Sequence, residues 1–337
     1  MLRYERARMG LLIIIALVAA ACGGSGADEV TGDGGSGESL SGTVEIDGSS
    51  TVGPLTDAIA EEYNEVQPNV GVTVNISGTG GGFERFCAGE TDINDASRPI
   101  EDEEKQACEE AGVEYTEVRV GTDALTVVTN PQTGFVDCLT FEELAKIWGA
   151  QDPAQTWTDV RSDFPDEQIA IFAPDTDSGT YDFFTEEVLG DPEEGAEEVI
   201  GNYQANADDN IIAQGIISTP ASWGYFGYAY CQENTDSLKA LAVDSGDSGC
   251  VKPSVETAES GEYPLARPLF IYVKNSALEE KPQVKDFVTY YLENVNSLIT
   301  DVGYIPAPEE AIQESMNDVT GGGSSSGGSE APSEMSS

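Results

Sequence analysis

Ala173-Pro174-Asp175-Thr176-Asp177-Ser178-Gly179-Thr180 joins a short apolar run, Gln168 to Phe172, to a segment, Tyr181 to Leu189, whose apolar residues recur at helical spacing. The run reads as a strand and the segment as a helix. Between them lie small hydroxyl residues and one glycine. A helix start leaves backbone N–H groups without partners and carries positive partial charge, so Ser178-Gly179-Thr180 can hold an anion without a cationic side chain. A single join of this kind is most simply an N-cap, with Asp177 or Ser178 serving the helix itself. Its recurrence elsewhere in the chain is what turns it into a candidate site.

Upstream, Thr43 to Asp47 alternates as a strand, Gly48-Ser49-Ser50-Thr51-Val52-Gly53-Pro54 follows, and Leu55 to Val66 is amphipathic at helical period. Val70 to Ile76 reads as a second strand, running into Ser77-Gly78-Thr79-Gly80-Gly81-Gly82 and a helix from about Phe83. Thr91 to Ile93 is a third, ending in Asn94-Asp95-Ala96-Ser97-Arg98-Pro99. Strand, small-residue turn and helix thus repeat. Such alternation indicates an α/β fold with parallel strands, whose ligands bind beyond the carboxyl ends of the strands. Downstream, Leu125 to Asn130 and Leu269 to Val273 read as strands, and Thr140 caps a helix to Trp148. Trp223 to Tyr230 is an aromatic strand suited to core packing, and a helix from Lys285 to Ile299 returns the chain to its first lobe.

The 337 residues suffice for one large or two medium domains, and two lobes are expected. With 62 acidic and 15 basic residues, the formal net charge is −47. Nucleic acids and anionic membrane surfaces require basic patches, so neither is an expected partner. There is no histidine, which removes Ser-His-Asp and Cys-His catalysis and the commonest metal ligand. No metal site, cofactor or catalytic residue is expected.

Arg3, Arg6 and Arg8 precede an apolar run from Leu11 to Ala21, an export signal over 1–21. Ala19-Ala20-Ala21-Cys22 resembles a bacterial lipobox, which implies cleavage before Cys22 and a lipid on its sulfur. Residues 22–42 are rich in Gly, Ser and Asp and read as a flexible tether; 319–337 read as a disordered tail. Five other cysteines remain in what would be an oxidising compartment. Cys87 with Cys108 and Cys231 with Cys250 are sequence-local pairs, each able to staple one lobe and leaving Cys138 over. Spacing alone does not fix the pairing.

Taken together, Gly48-Ser49-Ser50-Thr51, the glycine-rich turn Ser77 to Gly82, Asp92-Ile93 leading to Ser97-Arg98-Pro99, Asp177-Ser178-Gly179-Thr180 and Gly224-Tyr225-Phe226-Gly227-Tyr228 resemble, in order and spacing, the PstS-type phosphate-binding proteins of ABC phosphate importers. The wording of Phe86 to Glu90 and of Thr176 to Thr180 most resembles the SphX-like branch. The resemblance covers residues 43 to about 318. It implies a two-lobed type II periplasmic-binding fold, α/β with mixed sheets flanked by helices, with lobe I over 43–124 and 268–318 and lobe II over 125–267. It further implies a monomer outside the cytoplasmic membrane, held there by its N-terminal lipid, that delivers inorganic phosphate to membrane permease subunits. Position by position, Ser50, Thr51, Thr79, Gly80 and Ser97 would contact the anion from one lobe, and Ser178, Gly179 and Thr180 from the other. Many relatives carry an acidic residue where this chain has Ser97 and an arginine where it has Pro174. Arg98 is therefore expected to supply the cation, and Asp177 or Asp95 the carboxylate.

Two rival readings stand beside this one. Sulfate, molybdate or another oxyanion would suit the same turns. Asp177-Ser178-Gly179-Thr180 also fits the local pattern of aspartic proteases, with Asp244-Ser245-Gly246 and Asp247-Ser248-Gly249 as partners, but those enzymes are all-β whereas this stretch opens a helix in an α/β pattern.

Overall fold

The long strand β4 ties the molecule together. In the computed structural model, which describes residues 40–176, 178–190, 198–246 and 249–321, β4 runs Tyr115–Thr129. The proposed leader, Cys22, most of the tether, Asp177 and the chain beyond 321 lie outside the described residues. β1 (Gly42–Gly48), β2 (Val70–Ile76) and β3 (Ile93–Ala96) precede it; β5 (Cys138–Thr140), β6 (Ala170–Ala173), β7 (Gln204–Ala205), β8 (Ser222–Gly227), β9 (Lys239–Ala240), β10 (Ala242–Asp244), β11 (Ala266–Lys274) and β12 (Ile305–Pro306) follow. A ten-stranded sheet has the order β2-β1-β3-β11-β4-β8-β6-β7, with β9 and β12 also on β4. It is mixed: β1 pairs parallel with β2 and β3, β6 pairs parallel with β8, and β11 and β8 lie antiparallel to β4.

The first half of β4 alternates polar and apolar residues, so Val118 and Val120 enter a core with Val44, Ile46, Leu269 and Ile271. The helices Gly53–Val66 and Pro282–Leu298 cover it, Tyr63 meeting Phe287 edge-on with ring centroids 5.2 Å apart. The second half, from Leu125, enters another core, where Phe184 stacks on Tyr225 at 3.9 Å and Trp148 and Trp223 pack beside them. The aromatic run is therefore core, as its composition suggested, although it divides at Gly227 into β8 and a short helix, Tyr228–Glu233.

Three local readings change. The glycine-rich turn is itself helical, since the helix runs Gly78–Cys87 rather than starting near Phe83. Glycine is a poor helix former, yet a Cβ at Gly82 would strike the Asn94 side chain and the Gly48 backbone, so packing overrides propensity. The last helix, Glu309–Thr320, continues into the stretch read as tail. Cys87 and Cys108 are bonded, but the second bridge is Cys138–Cys250, leaving Cys231 a buried free thiol. Parallel pairing of β5 with β10 sets Ala242 opposite Cys138 and so carries Cys250 to it across 112 positions, a proximity that sequence-local pairing misses.

Candidate functional site

Each turn is shaped by a specific backbone need. β1 ends at Gly48, whose φ of 138° is open to glycine, and a Cβ there would run into the Asp95 carbonyl. The Ser49 N–H donates to that carbonyl at 2.9 Å, and Ser49 Oγ accepts the Thr51 and Val52 N–H groups at 3.1 and 3.4 Å. The turn is thus tied to β3 before the helix Gly53–Val66 begins. At the second turn Ser77 precedes the helix Gly78–Cys87, and at the third the Ser97 N–H donates to Thr79 Oγ1 at 3.2 Å, joining the two. On the opposite wall Ser178 caps the helix Gly179–Leu189, its Oγ accepting the Thr180 N–H at 3.2 Å. Three helix starts and one strand end therefore converge.

They open onto a cleft of about 600 Å³ lined by Ser50, Thr51, Thr79, Gly80, Ser97 and Arg98. Ser77, Asp182, Phe183, Glu186, Glu187 and Arg267 also line it. A second recess, about 540 Å³, shares Ser50 with the first and takes in Ser178, Gly179 and Thr180. The two meet where Gly179 touches Thr51: a Cβ on Gly179 would lie 2.9 Å from Thr51 Oγ1 and 3.2 Å from its Cα. Ser50, Thr51, Thr79, Gly80, Ser97, Arg98, Ser178, Gly179 and Thr180, expected from the sequence to hold the anion, all line one or other of these two recesses. A third recess, about 460 Å³ beside Phe172, Gln204 and Ile212, has no charged side chain in its lining and does not suit an anion.

Two arginines line the cleft. Arg98 lines the cleft, but its fork donates to both Glu104 oxygens at 2.8 Å, and its Nε lies 3.1 Å from Glu101. Arg267, missed in the sequence, sits at the Thr51–Gly179 contact. One of its terminal nitrogens donates to Thr51 Oγ1 at 2.6 Å and approaches the Gly179 carbonyl at 3.5 Å, while its Nε reaches Asp123 at 3.3 Å. Its guanidinium lies 3.9 Å from the centre of the Phe183 ring. β11 carries it there by pairing Arg267 with Asp123 of β4. Arg267 is 15% and Asp123 1% exposed at the side chain. Burial pushes the Asp123 carboxyl up and Arg267 pulls it back. The only signal in the sequence was an arginine heading a buried strand in a chain so poor in bases.

The carboxylates are also rearranged. Burial raises Asp182 and Glu187, again opposed by Arg267. Asp95, expected as an alternative partner for the ligand, is only 1% exposed and does not line the cleft. Its side chain belongs to the interior near Thr56 and Tyr291 because the first turn is built on its carbonyl. Burial pushes it up to about 8, Thr56 easing the shift and Asp57 and Asp47 adding to it.

Comparison with known proteins gives the family. Residues 34–295 match the family model described as a PBP superfamily domain. The chain is 45% identical over 272 residues to Protein SphX of Synechocystis sp., covering 80% of each. It is 38% identical over 308 residues to the phosphate-binding protein PstS of Staphylococcus saprophyticus, covering 90% of this chain and 92% of that one. A solved structure described as a possible phosphate binding protein from Planctomyces limnophilus superposes with a TM-score of 0.79 at 44% identity, covering 83% of this chain and 99% of that one.

Proposed function

Since the chain belongs to the PBP superfamily, among its PstS- and SphX-like phosphate-binding members, we propose that it captures inorganic phosphate in the cleft at the Thr51–Gly179 contact and passes it to an ABC importer. The observation that carries the reading is convergence: hydroxyl-bearing turns from β1, β2, β3 and β6 meet around one bridging arginine. The chain is a binding protein and not an enzyme. The two cores are its lobes, 43–124 with 268–318 and 125–267, joined through β4 and β11. Closure about such a hinge buries the anion and marks the loaded state for the permease.

The contact set is Ser50, Thr51, Thr79, Gly80 and Ser97 from one lobe and Ser178, Gly179 and Thr180 from the other, with Arg267 as the central cation and Arg98 at the rim. Asp177, which precedes Ser178 in the sequence, is kept in the set. Hydrogen bonds to a charged group contribute about 1.5–3 kcal/mol each, and micromolar affinity requires only about 8 kcal/mol net, so several such bonds suffice after desolvation. The protein works outside the cytoplasmic membrane, with Cys22 as its lipid anchor. Among the described residues no helix is long and apolar enough to cross a membrane.

Calorimetric titration of the mature protein, stripped of bound anion by unfolding and refolding, tests the reading. Tight phosphate binding that excess sulfate leaves unchanged supports it; preference for sulfate or molybdate would keep the fold and overturn the ligand.

A further inference from the structure

The hydroxyls around the cleft are not equivalent. Thr51 Oγ1 accepts from Arg267, and Ser49 Oγ accepts two backbone N–H groups, so each keeps its own proton to give away. Thr79 and Ser97, with hydroxyls 3.2 Å apart, share one proton and retain another for the cleft. Ser77 is reversed. Its hydroxyl donates to Asp47 Oδ1 at 2.7 Å. Asp47 is fully buried, takes the Gly48 N–H on the same oxygen at 2.8 Å, and pairs with Arg85 through the other. A hydroxyl whose proton is committed to a carboxylate offers only lone pairs to its other side, and for Ser77 that side is the cleft.

We propose that Ser77 Oγ is a specificity-determining acceptor, taking the hydrogen bond from the P–OH of phosphate and thereby disfavouring oxyanions that carry no proton. The inference rests on the phosphate reading above. Sulfate would set an acceptor against an acceptor. Turning the Ser77 hydroxyl toward sulfate would take a bond away from a buried carboxylate, so neither arrangement is satisfied. The carboxylates Asp182, Glu186 and Glu187 also line the cleft, but a charged acceptor repels a dianion that a neutral one does not. Ser77 accepts the proton without that repulsion, and the buried charge that orients it is already matched by Arg85.

The test is calorimetric titration of wild type, Ser77→Ala, Ser77→Thr and Asp182→Asn with phosphate, sulfate and monofluorophosphate at mildly alkaline pH. Fluorophosphate keeps the double charge of phosphate but has fluorine in place of the hydroxyl. Wild type should bind phosphate at least about 10-fold more tightly than either competitor. Ser77→Ala should bring the three affinities together and lower the thermal unfolding midpoint through loss of the bond to Asp47, and Ser77→Thr, which keeps the hydroxyl, should restore both. Undiminished preference in Ser77→Ala would overturn the assignment, and its loss in Asp182→Asn alone would move the role to Asp182, both leaving the phosphate reading intact. A wild type that ignores phosphate would overturn that reading and this inference together.

Discussion

Replacing Arg267 separates what that residue does for the fold from what it does for the ligand. Arg267→Met keeps an unbranched chain over Phe183 but removes the donors to Thr51, Gly179 and Asp123. On the ligand side, loss of one charged donor should weaken phosphate binding by about 1.5–3 kcal/mol, roughly 10- to 150-fold in Kd. On the folding side, Asp123 is left buried and unpaired, which costs about 3–5 kcal/mol. Adding Asp123→Asn removes the stranded charge, so the double variant should recover most of the stability and none of the affinity. Urea unfolding and calorimetry on both proteins read the two quantities separately. Arg98→Ala, in contrast, should change affinity by only a few fold, because that fork is engaged with Glu104 and Glu101. A double variant that binds phosphate like wild type, or an Arg98→Ala protein that loses binding altogether, would refute the assignment of the cation.

Three further outcomes are expected. Asp95, usually near 3.8, is raised to about 8 in the folded protein, so the stability it contributes is fully present below its ordinary value and lost as pH rises through about 8; Asp95→Asn should remove that slope, and urea midpoints that fall equally in both proteins over this window would contradict the sign. A chain beginning after Cys22 should show no reactive thiol when native and one, Cys231, when unfolded without reductant, and cleaving the Cys138–Cys250 bridge, which spans 112 positions, should destabilise it by up to about 4–5 kcal/mol; alkylation at Cys138 instead of Cys231 in the unfolded oxidised protein, read by peptide mapping, would disprove the pairing. Gly179→Ala places a Cβ 2.9 Å from Thr51 Oγ1 and should raise the phosphate Kd by roughly 5- to 150-fold, corresponding to the usual 1–3 kcal/mol of overpacking, so unchanged calorimetry would mean that the two walls do not meet in the loaded state.

Where function depends on a local pattern, the sequence was informative. Val70–Ile76 is a strand with the expected bounds, and the hydroxyl-rich turns after β1, β2, β3 and β6 come together because each ends a strand of one sheet. What stayed hidden depends on chain segments far apart. Arg267 reaches Thr51 only because β11 lies antiparallel to β4, and Cys250 reaches Cys138 only through the pairing of β10 with β5. The turn Ala173 to Thr180 has no cationic residue of its own; Arg267 supplies one at the Thr51–Gly179 contact. The first half of β4 did carry a signal, Glu117 and Arg119 alternating with Val118 and Val120, which is the period of a half-buried strand. Gly78 to Gly82 was misjudged as a loop because propensity counts the entropy of glycine and not the Asn94 side chain packed against it.

The central claim is that one anion sits in the cleft beside the Thr51–Gly179 contact, against Arg267. Arsenate has the shape and charge of phosphate and scatters anomalously, so a crystal grown with it places the ligand directly. The expected result is one strong anomalous peak within hydrogen-bond reach of Ser50, Thr51, Thr79, Ser97, the Ser178–Thr180 backbone and the Arg267 guanidinium. A peak held at Arg98 and Glu104 away from Arg267, or none in the cleft at saturating arsenate, would contradict it.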